Sequence, residues 1–341
     1  MFRFSNYVPA LFSGVALCIC VATTAHAQPP QCNPNLVVTA EACAKCHAGE
    51  VAAWKQTPHF QTFEQLHRNP RAKQISKLMG QRSVKRGNVC IGCHYTTQAD
   101  GDRNRVVSGV SCESCHGAAS DWMALHNDYG GPTATKESES AVHRKSRIDA
   151  SIQAGMRNPS NIYLVAQSCL QCHTVPNEKL VNTGTHLPGS EEFELVAWSQ
   201  GMIRHNFLRT DGQSNARNSV EKLRVMFIAG QIADLEFSTR ATGLATERAK
   251  FGLTVANRAA TVATRLYEIQ QLVNDPILEK ILVKFSEARL ELDNKAQLTE
   301  IADTINQWGI EFAASADGTK LAAVDTMLPD ESQYRNQASR R

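Results

Sequence analysis

The chain has 341 residues, with 36 Lys and Arg against 33 Asp and Glu and a formal net charge of +3. That near balance, with no basic tract interleaved with aromatics, excludes nucleic acid as an implied partner. The length is enough for two domains.

The first 27 residues read as a secretory signal. Arg3 gives a positive start, Val8 to Thr23 an apolar stretch, and Ala25-His26-Ala27 a small-x-small cleavage site. Export to the periplasm with cleavage after Ala27 is therefore expected. Leu17 before Cys18 and Ile19 before Cys20 are poor for a lipoprotein box, which predicts no lipid anchor. No other apolar segment is long enough to span a membrane. Cys32 follows the cleavage site as a leftover thiol at an N-terminus expected to be mobile, with no function assigned to it.

Four Cys-x-x-Cys-His motifs come next: Cys43-Cys46-His47, Cys90-Cys93-His94, Cys112-Cys115-His116 and Cys169-Cys172-His173. In such a motif two thiols add across the vinyl groups of one haem, and the following imidazole takes the iron. Cys-x-x-Cys also nucleates zinc knuckles, but a zinc ribbon does not need His directly after the second Cys. Four covalently attached haem c groups are the expected cofactors, on thioethers from Cys43, Cys46, Cys90, Cys93, Cys112, Cys115, Cys169 and Cys172. His47, His94, His116 and His173 are the expected proximal ligands.

Residues 28–212 hold every motif and are punctuated by Gly and Pro. Such a stretch predicts a mainly α multihaem cytochrome c domain with little regular sheet, short helices and loops wrapping the haems as its core. Trp54 and Trp198 read as packing partners for porphyrin edges.

Beyond Asn215 Cys and His vanish and helical periodicity appears. Leu244, Phe251, Val255, Val262, Leu266, Ile269 and Val273 form one stripe. Asp275-Pro276 predicts a cap and a new helix. Leu278, Leu282, Phe285, Leu290 and Leu292, then Leu298, Ile301, Ile305, Trp308 and Phe312, continue the pattern. Residues 213–315, with Val220 to Phe237, are thus expected to form an α-helical bundle or hairpin domain, for docking, oligomerisation or plain scaffolding. Residues 316–341 read as a disordered tail.

Six His remain in the mature chain: His59, His67, His126, His143, His186 and His205. An iron with two imidazoles is coordinatively closed and suits electron transfer, whereas an open face allows chemistry. His143 lies in a charged segment more typical of solvent. His67, eight residues after His59, could share a helix face with it.

Residues 40–207 resemble the tetrahaem cytochrome c-554 family, whose type member accepts electrons from hydroxylamine oxidoreductase. The resemblance is carried by Cys43-Ala-Lys-Cys46-His47 with Trp54 and Thr57-Pro58-His59, by Gly109-Val110-Ser111 through Gly117 with His126, and by Phe193 to His205. It implies that His126 caps the first haem (His47), His59 the third (His116) and His205 the fourth (His173). It also implies an open second haem (His94). This chain departs there by carrying spare imidazoles, of which His186 is the candidate sixth ligand.

Two functions follow. One is a periplasmic electron carrier between a redox donor and acceptor, with mostly bis-His haems. The alternative is a reductase of nitric oxide, nitrite or a sulfur oxyanion at a five-coordinate second haem. No motif carries Lys in place of the proximal His, the mark of pentahaem nitrite reductases.

Overall fold

A computed structural model describes residues 32–335. The signal segment and the last six residues lie outside the described part. The fold is mainly α, and the only sheet among the described residues is one antiparallel hairpin, Thr96–Asp100 with Arg103–Ser108.

The N-terminal part is built of short helices, each started by a local signal. Thr57 caps Pro58–Gln65 through its hydroxyl and Phe60 N–H (3.3 Å), with proline at the first turn. Asn69 does the same for Pro70–Leu78, accepting from Arg71 and Ala72. Ser111 and Ser114 form a reciprocal capping box at Cys112–His116. The long helices follow the same logic. Ser219 caps Val220–Thr242, and Asn274 in the left-handed region ends Lys250–Val273. The Asp275 carboxylate then starts Pro276–Ser286, where Asp275-Pro276 predicts it. Lys295–Ser315 completes the set.

The Val220–Thr242 helix is apolar around most of its circumference, and so it is buried on nearly every side. It is the central member, packed against Lys250–Val273, Lys295–Ser315 and the motif-bearing helix Ile162–His173. One apolar cluster joins Tyr163, Ala166, Leu170 and Val196 to Ile228, Ile232, Leu266 and Ile305. Gly309 belongs to this seam, because a Cβ there would meet the Tyr163 ring at 2.3 Å. The expected boundary at residue 212 therefore does not separate two cores. The fourth motif is built into the helical bundle.

The tail is a second correction. Gly318–Met327 forms a 3-10 segment with Leu321 and Val324 buried. It packs on Val220–Thr242, and Arg224 forks onto Asp325 at 2.7 Å through two nitrogens. Polar composition masked two apolar residues at the right spacing and one charge partner. No helix among the described residues is long and apolar enough to cross a membrane.

Candidate haem sites

The eight imidazoles singled out by sequence meet in four pairs. His47 faces His126 at 6.3 Å between ring centroids, and His94 faces His186 at 6.3 Å. His116 faces His205 at 6.1 Å, and His59 faces His173 at 6.4 Å. An imidazole nitrogen binds a metal at about 2 Å, with its ring centre roughly 1 Å further back. Two imidazoles on opposite sides of one iron therefore have centroids about 6 Å apart, as all four pairs do. Among the described residues no three or more His, Cys, Asp or Glu side chains gather as a metal-ion site. The arrangement is four opposed pairs rather than the tetrahedral cluster of a zinc ribbon.

Protonation also fits an iron ligand. Burial, aided by the facing imidazole, pushes His94 and His116 down to about 4 and His173 to about 3. These rings are neutral at physiological pH and keep a lone pair to donate. Nδ1 of His116, His126, His186 and His205 contacts the carbonyls of Arg157 (3.3 Å), Met123 (2.6 Å), Leu187 (2.7 Å) and Ile203 (2.7 Å). A carbonyl only accepts, so Nδ1 carries the proton and Nε2 is left for the metal. His173 Nδ1 meets the Ser190 hydroxyl at 3.2 Å.

The chain positions each distal candidate through backbone ties. His59 opens a helix whose Thr62 hydroxyl donates to the His94 carbonyl (2.9 Å). Val110 N–H bonds the His59 carbonyl (3.1 Å), and Gly109 allows this approach, since a Cβ there would sit 2.2 Å from that oxygen. The His126 carbonyl accepts from Arg147, itself forked onto Glu139 at 2.7 Å and stacked on Tyr129. Arg147 pulls Glu139 down to about 2. His186 sits in a loop where Thr185 has φ +59° and its carbonyl takes a 2.6 Å bond from Arg71. His205 is bracketed by Asn215, which bonds Asn206 N–H and the Arg204 carbonyl.

The motifs touch one another in series. The Cys43 thiol lies beside that of Cys112, and Cys93 beside Cys172. Ser168 donates to the Cys115 carbonyl (2.8 Å), and Arg157 bonds Ser114 O and the Ser168 hydroxyl. The order is thus first, third, fourth, second. Glu113, inside the third motif, accepts from Val38, Thr39 and Ala119 N–H at 2.9 Å each and pins the approach to the first motif. Cys32 is half-buried near Glu113 and Arg157, and burial pushes its thiol to about 12. It is held in the fold rather than at a mobile end.

A family profile described as cytochrome c554 and c-prime matches residues 42–117. Residues 42–117 of this chain are thus similar to the cytochrome c554 family. Cytochrome c-554 of Nitrosomonas europaea is similar, 31% identical over 99 residues, covering 26% of this chain and 41% of that relative. The chain thus matches under half of the curated relative's length. No solved structure matches the chain significantly. Similarity to the cytochrome c554 family implies covalently bound haem c. The four pairs of opposed imidazoles, one member of each directly after a Cys-x-x-Cys, are a donor set that fits that group.

Against the pairing implied by the cytochrome c554 resemblance, two partners are exchanged. His59 faces His173, not His116, and His205 faces His116, not His173. The Thr62 bond ties the His59 helix to the second motif, and the Val110 bond ties it to the segment leading into the third. His126 faces His47 and His186 faces His94, while His67 and His143 face no motif imidazole. His143 instead bonds Glu139 at 2.8 Å.

Trp198 lies edge-on to His173 (5.0 Å), and Trp54 donates to the Val110 carbonyl (2.8 Å). Sequence reading missed Phe193, stacked on His173 at 4.9 Å, and Trp122, edge-on to His126 at 5.2 Å. It also missed Arg258. That guanidinium pairs with buried Asp234 at 2.6 Å and donates to the carbonyls of Ser190 (2.9 Å) and His173 (3.3 Å). The signal was present, because Arg258 fills the seven-residue gap between Val255 and Val262 in an otherwise apolar stripe.

Proposed function

We propose that this protein is a periplasmic tetrahaem c-type cytochrome that carries electrons between redox proteins. The observation that carries the reading is the set of four imidazole pairs at 6.1–6.4 Å, one pair for each Cys-x-x-Cys. The eight motif cysteines would hold four haems by thioether bonds. His47 and His126, His94 and His186, His116 and His205, and His173 and His59 would ligate them. An iron closed by two imidazoles changes oxidation state without exchanging ligands, which suits outer-sphere electron transfer. The serial contact of the motifs supports the same reading, since a carrier needs neighbouring redox sites. The surrounding residues set ring tautomer, burial and local charge, and these tune the potentials.

The reductase alternative needs an open face at the second site, and His186 opposite His94 speaks against it. The C-terminal helices act in this reading as a scaffold, with Arg258 and Asp234 gripping the backbone of the fourth motif. Export rests on the signal segment, and the donor and acceptor are redox proteins.

Low-temperature EPR of the oxidised, exported protein tests this, with mass spectrometry for the attached porphyrins. Four porphyrin additions and four low-spin haems are expected. A wild-type high-spin haem that binds nitric oxide would favour the reductase, and zinc in place of porphyrin would end the reading.

A further inference from the structure

From Gln65 to Ala99 the chain has no carboxylate, yet it holds Arg68, Arg71, Lys73, Lys77, Arg82, Lys85 and Arg86. In a chain of near-balanced charge this is a local excess, and it runs up to the second motif, Cys90 to His94.

The excess is on the surface. Lys73, Lys77, Arg82 and Arg86 are exposed and make no ion pair among the described residues. Arg68 alone of the strip pairs with a carboxylate, Glu64 (3.1 Å). The nearby carboxylates Glu178 and Glu247 are engaged with Thr246 and Asn182. Lys250 joins Arg71 and Thr185 along a neighbouring cleft.

The strip is anchored to the distal side of the second site. Arg71 holds the Thr185 carbonyl, one residue before His186, and the Met79 sulfur packs against Gly184. Leu187, just after His186, is 70% exposed, and Leu78, just before Met79, is 44% exposed. An apolar centre inside a charged rim is the anatomy of a protein interface. Arg71 and Met79 thus tie the Pro70–Leu78 segment to the His186 loop. In the series of motif contacts, first, third, fourth, second, this site is one end.

We propose that this basic face, centred on Leu187 and Leu78 and rimmed by Lys73, Lys77, Arg82 and Arg86, is the docking surface for an acidic redox protein. The partner sits over the His94–His186 site. The proposal rests on the carrier reading above. It adds which end of the series meets a partner and with what charge. Attraction between opposite fields would speed encounter and weaken with salt.

The test uses the full haem-loaded protein with a plant-type [2Fe–2S] ferredoxin, an acidic carrier, as probe. Calorimetric binding and stopped-flow reduction would be followed from low to high ionic strength. For the wild type, affinity and rate should both fall at least about tenfold as salt rises. Lys73→Glu/Lys77→Glu/Arg82→Glu should show a similar loss at low salt, while Lys280→Glu on the C-terminal helices should not. Reduction by dithionite and haem content should be unchanged in both variants. If dithionite fails to reduce the wild type, the carrier reading fails. If dithionite works but the triple variant binds ferredoxin like the wild type, the docking face is overturned and the carrier survives. Capture of the wild type by phosphatidylserine vesicles with unaltered ferredoxin kinetics in the triple variant would overturn it in favour of a lipid surface.

Discussion

The His59 ring faces the His173 ring at 6.4 Å, although sequence resemblance assigns His59 to the third motif. Two segments far apart in the chain would thus share one iron, and His205 would take the third site. Iron-edge anomalous diffraction from crystals of the haem-loaded protein should give four peaks, one between the rings of each pair. A peak between His59 and His116 would return the pairing to the one the resemblance implies.

His186 faces His94 at 6.3 Å and would close the second site. His186→Ala should convert one haem of four to high spin and let that haem bind carbon monoxide when reduced, while the wild type binds none. The proximal Cys90-Cys93-His94 attachment is untouched, so porphyrin content should stay at four. An EPR spectrum identical to wild type would remove His186 from the ligand set.

Glu139 gives a pH dependence whose sign can be worked out. Hydrogen bonding to Arg147 lowers its carboxyl from 4.5 to about 2, so the folded state favours the ionised form. The stabilisation is complete above pH 4.5 and disappears as pH falls through about 2. Wild type should melt above Glu139→Gln at pH 6, and the gap should narrow steadily below pH 4.5. A gap that widens on acidification would refute the link between this pair and the His126 turn.

Arg258 and Asp234 form a buried pair, and breaking one partner of such a pair costs about 3–5 kcal/mol. Arg258→Ala should therefore lower stability in urea unfolding. It should also shift the midpoint potential of one haem, because it frees the carbonyl of His173. Loss of stability with four unchanged potentials would reduce Arg258 to a structural role.

Removing residues 316–341 should be costly. Leu321 and Val324 are buried against the central helix, and burying each such side chain contributes about 1.5–3 kcal/mol. The Arg224 guanidinium would also lose Asp325. A truncated protein with an unchanged urea midpoint would show that the tail adds nothing.

The sequence by itself determined the four Cys-x-x-Cys-His motifs, the candidate imidazoles, the mainly α class and the helix break at Asp275-Pro276, because each is encoded by residue type at short spacing. The pairing of His59 and His205, the burial of Leu321, and the fusion of the Ile162–His173 helix with the C-terminal helices were decided only by tertiary structure. Distal imidazoles are placed by backbone ties such as Val110 to His59, and these link segments with no common periodicity. Arg258 shows the same limit: its charge is visible in an apolar stripe, but its grip on His173 exists only once two helices and a loop have packed together.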